Sequence, residues 1–294
     1  MTRFFAVLLT AALSVGAQAA DKPAKVRAAK AASVVDFDKE GDPILHSSSV
    51  LVMDPASGQT LYSKNADHVA PIASITKLMT AMVVLDAKLP LDDPIEIGTE
   101  DIDLLKNTGS RLPIGSHFRR DDLLRLALMA SDNRAASALG RNYPGGLPAF
   151  VDAMNAKART LGLTQTHYVD SSGLSPGNVS SPQDLGKLVT AASHYPLIKE
   201  YSTTRAVNVT LPDSKRKMTF VNTNGLVRGS DWNIGLSKTG YISEAGKCLV
   251  MQAMIANQPI VIVLLDSWGR LTRIGDANRI KRWLEKNPSK LVSG

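Results

Sequence analysis

The sequence predicts an α/β (α+β) fold: an antiparallel five-stranded sheet flanked by helices, a mostly helical lobe between its strands, and a cleft where the two meet. Three observations predict it. Two strand-like segments near the start flank a short turn, three more near the end read as an antiparallel meander, and the residues between them have the texture of apolar helices. The simplest packing sets the hairpin beside the meander in one sheet and covers a face with terminal helices.

The first elements concern export. Arg3 gives a positive start, Phe4 to Val15 form a short apolar run, and Ala17-Gln18-Ala19 is a small-x-small cleavage site, so residues 1–19 read as a signal peptide. The run falls short of the roughly 20 residues that span a bilayer, and no later stretch is long and apolar enough to do so. The mature chain is therefore expected outside the cytoplasm, in the periplasm, without a transmembrane anchor. Residues 20–45, with Lys22, Lys25, Arg27 and Lys30, read as a basic flexible arm; its composition also suits loose contact with an anionic wall or membrane surface.

The folded part is expected over residues 46–287. Ser48–Met53 and Thr60–Ser63 flank Asp54-Pro55-Ala56-Ser57-Gly58, a hairpin with the expected turn chemistry. Ser74 opens an apolar helix running to about Leu85, and Asp121 to Leu139 reads as helical, with the second motif partway along. Ser181 and Pro182 supply a cap and a first helical residue for another. This helical lobe spans roughly 70–200. Ile234–Ser243, Lys247–Ile255 and Ile260–Asp266 form the meander, and a last helix from about Gly275 to Glu285 stops before Pro288. Residues 288–294 are a short tail.

Composition excludes several classes. One cysteine, Cys248, cannot form an internal disulfide, and in Lys247-Cys248-Leu249-Val250-Met251 it reads as an inert core thiol. The five histidines are scattered and no His-Glu-x-x-His occurs, so no metal and no cofactor is implied. The net charge of +7 comes with no zinc-finger or stacking-aromatic pattern, so nucleic acid is not expected as a partner, whereas an anionic polymer suits it.

Three motifs carry the chemistry. In Ser74-Ile75-Thr76-Lys77 a hydroxyl and an amine lie three apart on one helical face, so Lys77 can take the Ser74 proton if it is held neutral. The Ser74 N–H near a helix start is a first oxyanion donor. Ser-x-x-Lys arises by chance about once in a chain this long, and Ser214-Lys215-Arg216-Lys217 matches too, but in a basic, turn-like stretch. Ser131-Asp132-Asn133 offers a hydroxyl relay in Ser131 and an amide in Asn133 that binds substrate backbone and contacts the lysine; Asp132 orients the turn. In Lys238-Thr239-Gly240, Lys238 brings positive charge and Thr239 a hydroxyl for a substrate carboxylate. Gly240 allows close backbone approach, and the Tyr241 N–H is the second oxyanion donor. Arg270, after the last strand, is a candidate helper for the carboxylate clamp. Together these parts equip a chain for acyl transfer through a serine ester.

From about Ser49 to Trp283 the chain resembles the low-molecular-mass penicillin-binding proteins of the D-alanyl-D-alanine peptidase family. Ala73-Ser74-Ile75-Thr76-Lys77-Leu78-Met79-Thr80, Asp170-Ser171-Ser172-Gly173-Leu174 and Ser237-Lys238-Thr239-Gly240-Tyr241 carry the likeness. It implies the serine β-lactamase/D,D-peptidase fold, D-Ala-containing peptidoglycan peptides as substrates, acylation by β-lactams, and the residue roles given above. Family carboxypeptidases commonly continue into a second β-rich domain with an amphipathic anchor; here about fifty residues follow Gly240, and no such domain is expected. The short form resembles the penicillin-binding protein 7 type, D,D-endopeptidases that cut cross-links between wall peptides. Three alternatives stay open: a carboxypeptidase that trims pentapeptides, a class A-like β-lactamase, and a non-catalytic penicillin- or wall-binding protein. The β-lactamase needs a glutamate base between the second and third motifs, and the one there, Glu200, stands far past the expected place.

Overall fold

The computed structural model describes residues 36–211, 217–269 and 271–291; the signal peptide, most of the basic arm, Ser214–Arg216 and Arg270 lie outside them. In chain order the elements begin with β1 (Ser47–Met53), β2 (Thr60–Lys64), β3 (Ala70–Pro71), α1 (Lys77–Asp86), β4 (Pro94–Glu96) and β5 (His117–Arg119). They continue with α2 (Arg120–Met129), α3 (Asn133–Arg141), α4 (Gly146–Thr160), β6 (Val179–Ser180), α5 (Pro182–Ala192) and α6 (Pro196–Thr203). The last are β7 (Ala206–Thr210), β8 (Lys217–Val221), α7 (Gly225–Arg228), β9 (Asn233–Ile242), β10 (Gly246–Ile255), β11 (Gln258–Ser267) and α8 (Thr272–Lys286).

The main sheet has five antiparallel strands in the order β2-β1-β11-β10-β9, so the hairpin does lie against the meander. The β1–β11 register, Val52 opposite Ile262 and Leu51 opposite Val263, explains why the strands read as near-continuous apolar runs. Successive side chains point to opposite faces, and both faces are covered. Val50, Val52, Leu249, Met251, Ile260, Ile262 and Leu264 face α8 and its buried Trp283. Leu51, Cys248, Val250, Val261, Val263 and Leu265 face the helical lobe. Burial pushes the Cys248 thiol up to about 11, in keeping with an inert core sulfur.

Three expectations change. Residues 36–45, expected to continue the flexible arm, pack on α8: Asp36 pairs with Arg279 and Arg282, and Leu45 is buried in the α8-side core. The helix expected from Ser74 begins as a 3-10 turn over Ala73–Thr76, and α1 follows it from Lys77. The helix expected across Asp121 to Leu139 is two helices, broken at Ala130–Asp132 where Ser131 takes a left-handed φ of 57°. The Leu126-Ala127-Leu128-Met129-Ala130 stripe hides the break, because its apolar spacing continues up to it. What stops the helix is Asp132, which turns extended and caps α3 by accepting from the Ala135 N–H at 3.0 Å. The expected cap at Ser181, with Pro182 as first helical residue, is present.

Candidate active site

Ser74 sits in the 3-10 turn where the lobe meets the edge strand β9. Its neighbours Ile72, Ala73 and Ile75 are fully buried, so the turn is clamped from below while Ser74 itself stays half-buried at the cleft. Ala73 holds a left-handed φ of 47°, a conformation that costs a residue with a Cβ on the order of 1–3 kcal/mol and persists only under constraint. The constraint is visible: Ile72 N–H donates to the Asn178 carbonyl at 3.0 Å, and Asn178 Nδ2 donates to Thr76 Oγ1, also at 3.0 Å, which donates to the Ala73 carbonyl at 2.8 Å. In a 3-10 turn, positions three apart eclipse one another. Ser74 and Lys77 therefore meet, with Lys77 Nζ 2.8 Å from Ser74 Oγ.

Lys77 is fully buried. Besides Ser74 its amine donates to Asn133 Oδ1 at 2.7 Å and to the Ser172 carbonyl at 2.6 Å. Desolvation lowers its pKa from 10.5 to about 8, against the opposing pull of Asp170, Asp132 and Asp103. The amine is thus brought near the range where a general base works at neutral pH. Asp170 builds the loop that presents the Ser172 carbonyl, accepting from the N–H groups of Ser172, Gly173 and Ser175.

The second motif occupies the break between α2 and α3. The left-handed turn at Ser131 places its hydroxyl 2.9 Å from Lys238 Nζ, so its partner is the third motif's lysine. Asp132 caps α3 and accepts from Ser110 Oγ at 2.8 Å, a structural part as expected. Asn133 faces both ways, with Oδ1 on Lys77 and Nδ2 on Thr108 Oγ1 at 2.8 Å.

Lys238, read from the sequence as a source of positive charge for the clamp, lies buried. It is 1% exposed, donates to Ser131 Oγ and to the Thr239 carbonyl, and stands near Lys77 and Arg273. Burial first, and then those two cations, hold its pKa well below the usual lysine value. Gly240 also has a clearer reason than room for a ligand. A Cβ there would lie 2.9 Å from the Ile72 carbonyl oxygen and 3.2 Å from the Ser74 nitrogen, so the glycine lets the edge strand touch the Ser74 turn and brings the Tyr241 and Ser74 segments together.

These side chains line an open cleft of about 260 Å³: Ser74, Ser131, Asn133, Thr239, Gly240 and Tyr241, joined by Thr223 and Arg273. The last two were missed in the sequence. Thr223 Oγ1 lies 2.6 Å from Thr239 Oγ1, and Arg273 on α8 donates to the Gly240 and Cys248 carbonyls at 3.1 Å each. Neither sits in a recognisable motif; the signal available for Arg273 was an arginine close after the last strand, and the sequence reading chose Arg270. No carboxylate lines the cleft among the described residues. Glu200 lies on α6 and pairs with Arg125 at the surface, 3.2 Å away.

The sequence pattern of the D-alanyl-D-alanine carboxypeptidases matches residues 37–268. The chain belongs to that family. Family members most like it include a D-alanyl-D-alanine endopeptidase of Pseudomonas aeruginosa, 49% identical over 87% of this chain and 84% of that protein. An Escherichia coli D-alanyl-D-alanine endopeptidase is 46% identical over 83% of this chain and 78% of its own length. Among solved structures, the Streptomyces K15 DD-transpeptidase superposes with a TM-score of 0.77 at 30% identity, covering 82% of this chain and 98% of that one. The expected D,D-peptidase fold is therefore the fold of this family member.

Proposed function

We propose that the protein is a periplasmic serine D,D-endopeptidase that hydrolyses D-Ala-containing cross-links in peptidoglycan through an acyl-enzyme on Ser74, and that β-lactams inhibit it by acylating the same hydroxyl. The observation that carries the chemistry is the buried Lys77 amine 2.8 Å from Ser74 Oγ. Identity of 49% and 46% to proteins named endopeptidases, over most of their lengths, supports that specificity over the carboxypeptidase one.

In the proposed mechanism neutral Lys77 takes the Ser74 proton as Oγ attacks the D-Ala carbonyl carbon. The oxyanion that forms is held by the Ser74 and Tyr241 N–H groups. As the carbonyl re-forms, the C–N bond breaks and the departing amine takes a proton through Ser131, whose hydroxyl rests on Lys238. Water then attacks the ester, with Lys77 again accepting a proton. Asn133 holds substrate backbone, and the Thr239 hydroxyl meets a substrate carboxylate. Among the described residues Arg273 is the cation that lines the cleft beside Thr239, and it can share the helper role assigned to Arg270. Residues 1–19 act as the export signal, 20–35 as a basic tether, and 46–287 as the catalytic domain.

With no carboxylate lining the cleft among the described residues, a β-lactam ester is expected to be released slowly, which separates this reading from a β-lactamase. Incubation with penicillin should add one drug mass to the Ser74 peptide of the purified protein and none to Ser74→Ala. An adduct that persists in Ser74→Ala, or prompt turnover of a chromogenic cephalosporin, overturns the assignment.

A further inference from the structure

One hydrogen-bond chain beside the cleft is left unused by that mechanism, and its donors and acceptors run in one direction. It begins at Asp103, in the stretch joining β4 to β5. One Asp103 oxygen accepts from the Leu105 and Lys106 N–H groups at 2.9 Å each; the other accepts from the Thr108 N–H at 2.9 Å and the Thr108 hydroxyl at 2.6 Å. The loop is tied at two further points, Lys106 to Glu244 on the β9–β10 turn and Ser110 to Asp132.

An ionised carboxylate only accepts. Thr108 therefore spends its one hydroxyl hydrogen on Asp103, and its oxygen is left to accept from Asn133. That requires the amide nitrogen of Asn133, not its oxygen, to face Thr108, as found at 2.8 Å. Asn133 Oδ1 must then face Lys77, as found at 2.7 Å.

The consequence falls on the base. A neutral lysine amine carries two hydrogens and one lone pair. Asn133 Oδ1 and the Ser172 carbonyl, 2.7 and 2.6 Å from Nζ, accept the two hydrogens. The lone pair is left for the third neighbour, the Ser74 hydroxyl at 2.8 Å. An Asn133 amide turned over would instead aim an N–H at Lys77 and compete with Ser74 for that lone pair.

We propose that Thr108 is a positioning residue for the acyl transfer: with its hydroxyl directed by Asp103, it fixes the Asn133 amide so that the Lys77 lone pair faces Ser74. The proposal rests on Ser74 as nucleophile and Lys77 as base. Thr108 is an exposed residue, so substitution there leaves the core untouched, and the second hydrogen of Asn133 Nδ2 stays available to substrate.

The test is the kinetics of Ser74 acylation by a fluorescent penicillin across a concentration series, for wild type, Thr108→Val and Thr108→Ser. Thr108→Val keeps the shape and loses the hydroxyl. Its maximal acylation rate is expected to fall about tenfold with the half-saturating concentration and Tm unchanged. Thr108→Ser restores the hydroxyl and should stay within about twofold of wild type. A changed half-saturating concentration at an unchanged maximal rate would make Thr108 a ligand contact and overturn the proposal. So would a Thr108→Val variant as fast as wild type, or a Thr108→Ser variant as slow as Thr108→Val. Absence of any adduct in the wild-type protein would strike the acyl-enzyme reading itself, whereas a normal wild-type adduct beside an unaffected Thr108→Val variant removes this proposal alone.

Discussion

Lys77→Met should lower the rate of Ser74 acylation by about a thousandfold, the scale of a lost general base, while the protein remains folded. Methionine keeps an unbranched apolar stem in the buried channel. It leaves the Asn133 Oδ1 and Ser172 carbonyl acceptors without their donor, at a cost of about 1–3 kcal/mol each, partly offset because no amine has to be desolvated. The wild-type rate should also depend on pH with a defined sign. Ammonium has no lone pair, so acylation is slow below the Lys77 pKa, rises through about 8 and levels off above it. The same shift acts on stability. Because the folded pKa lies below the ordinary 10.5, the unfolded chain binds more protons across that window, so this group's contribution to stability rises as pH climbs from about 8 to 10.5 and is lost as pH falls back. Stopped-flow acylation from pH 6 to 10 reads the activity limb. A flat profile, or a Lys77→Met variant that acylates at the wild-type rate, would remove Lys77 as the base.

Gly173→Ala is the second large effect, and it arises from packing. Gly173 has a φ of 82°, and a Cβ on it would run into the Ala73 carbonyl carbon and oxygen and, at 2.9 Å, Thr76 Oγ1. Left-handed strain and overpacking against backbone together should destabilise the fold by roughly 3 kcal/mol, lowering Tm by about 10 °C for a chain of this size. Activity should fall by more than stability explains. Ala73 precedes Ser74, and Gly173 follows the carbonyl that accepts from Lys77, so one methyl displaces both walls of the Ser74–Lys77 pair. Thermal unfolding and penicillin labelling on the same preparation test this; an unchanged Tm with a normal labelling rate would contradict it.

These two positions show what was legible in the sequence. The Ser74–Lys77 contact was legible in the spacing because contact between residues three apart is a local rule. The hairpin and meander were legible because turn chemistry and apolar runs mark strands without help from distant residues. Gly173 stood within a recognised phrase, but its role, shaping the turn before Ser74, depends on residues about a hundred positions away. The same holds for the broken helix at Ser131, where local apolar spacing continues and only the Asp132 cap and the Lys238 contact, 107 residues on, account for the turn. Lys238 itself read as a source of positive charge from its residue type, which carries no information about its depth. Its burial comes with its contact to Ser131 of the lobe, and Arg273 reaches the cleft from α8 through its bonds to the Gly240 and Cys248 carbonyls. Local signals thus singled out side chains that the fold brings together, while tertiary packing decided which of them face solvent and which face one another.

Cross-link hydrolysis through Ser74 is tested by digestion of purified, cross-linked peptidoglycan by the protein and by Ser74→Ala, with the released muropeptides separated and weighed. Cross-linked dimers should disappear as monomers accumulate, and the Ser74→Ala digest should match the untreated wall. Pentapeptides shortened by one D-Ala with dimers left intact, or dimer loss undiminished in Ser74→Ala, would contradict it.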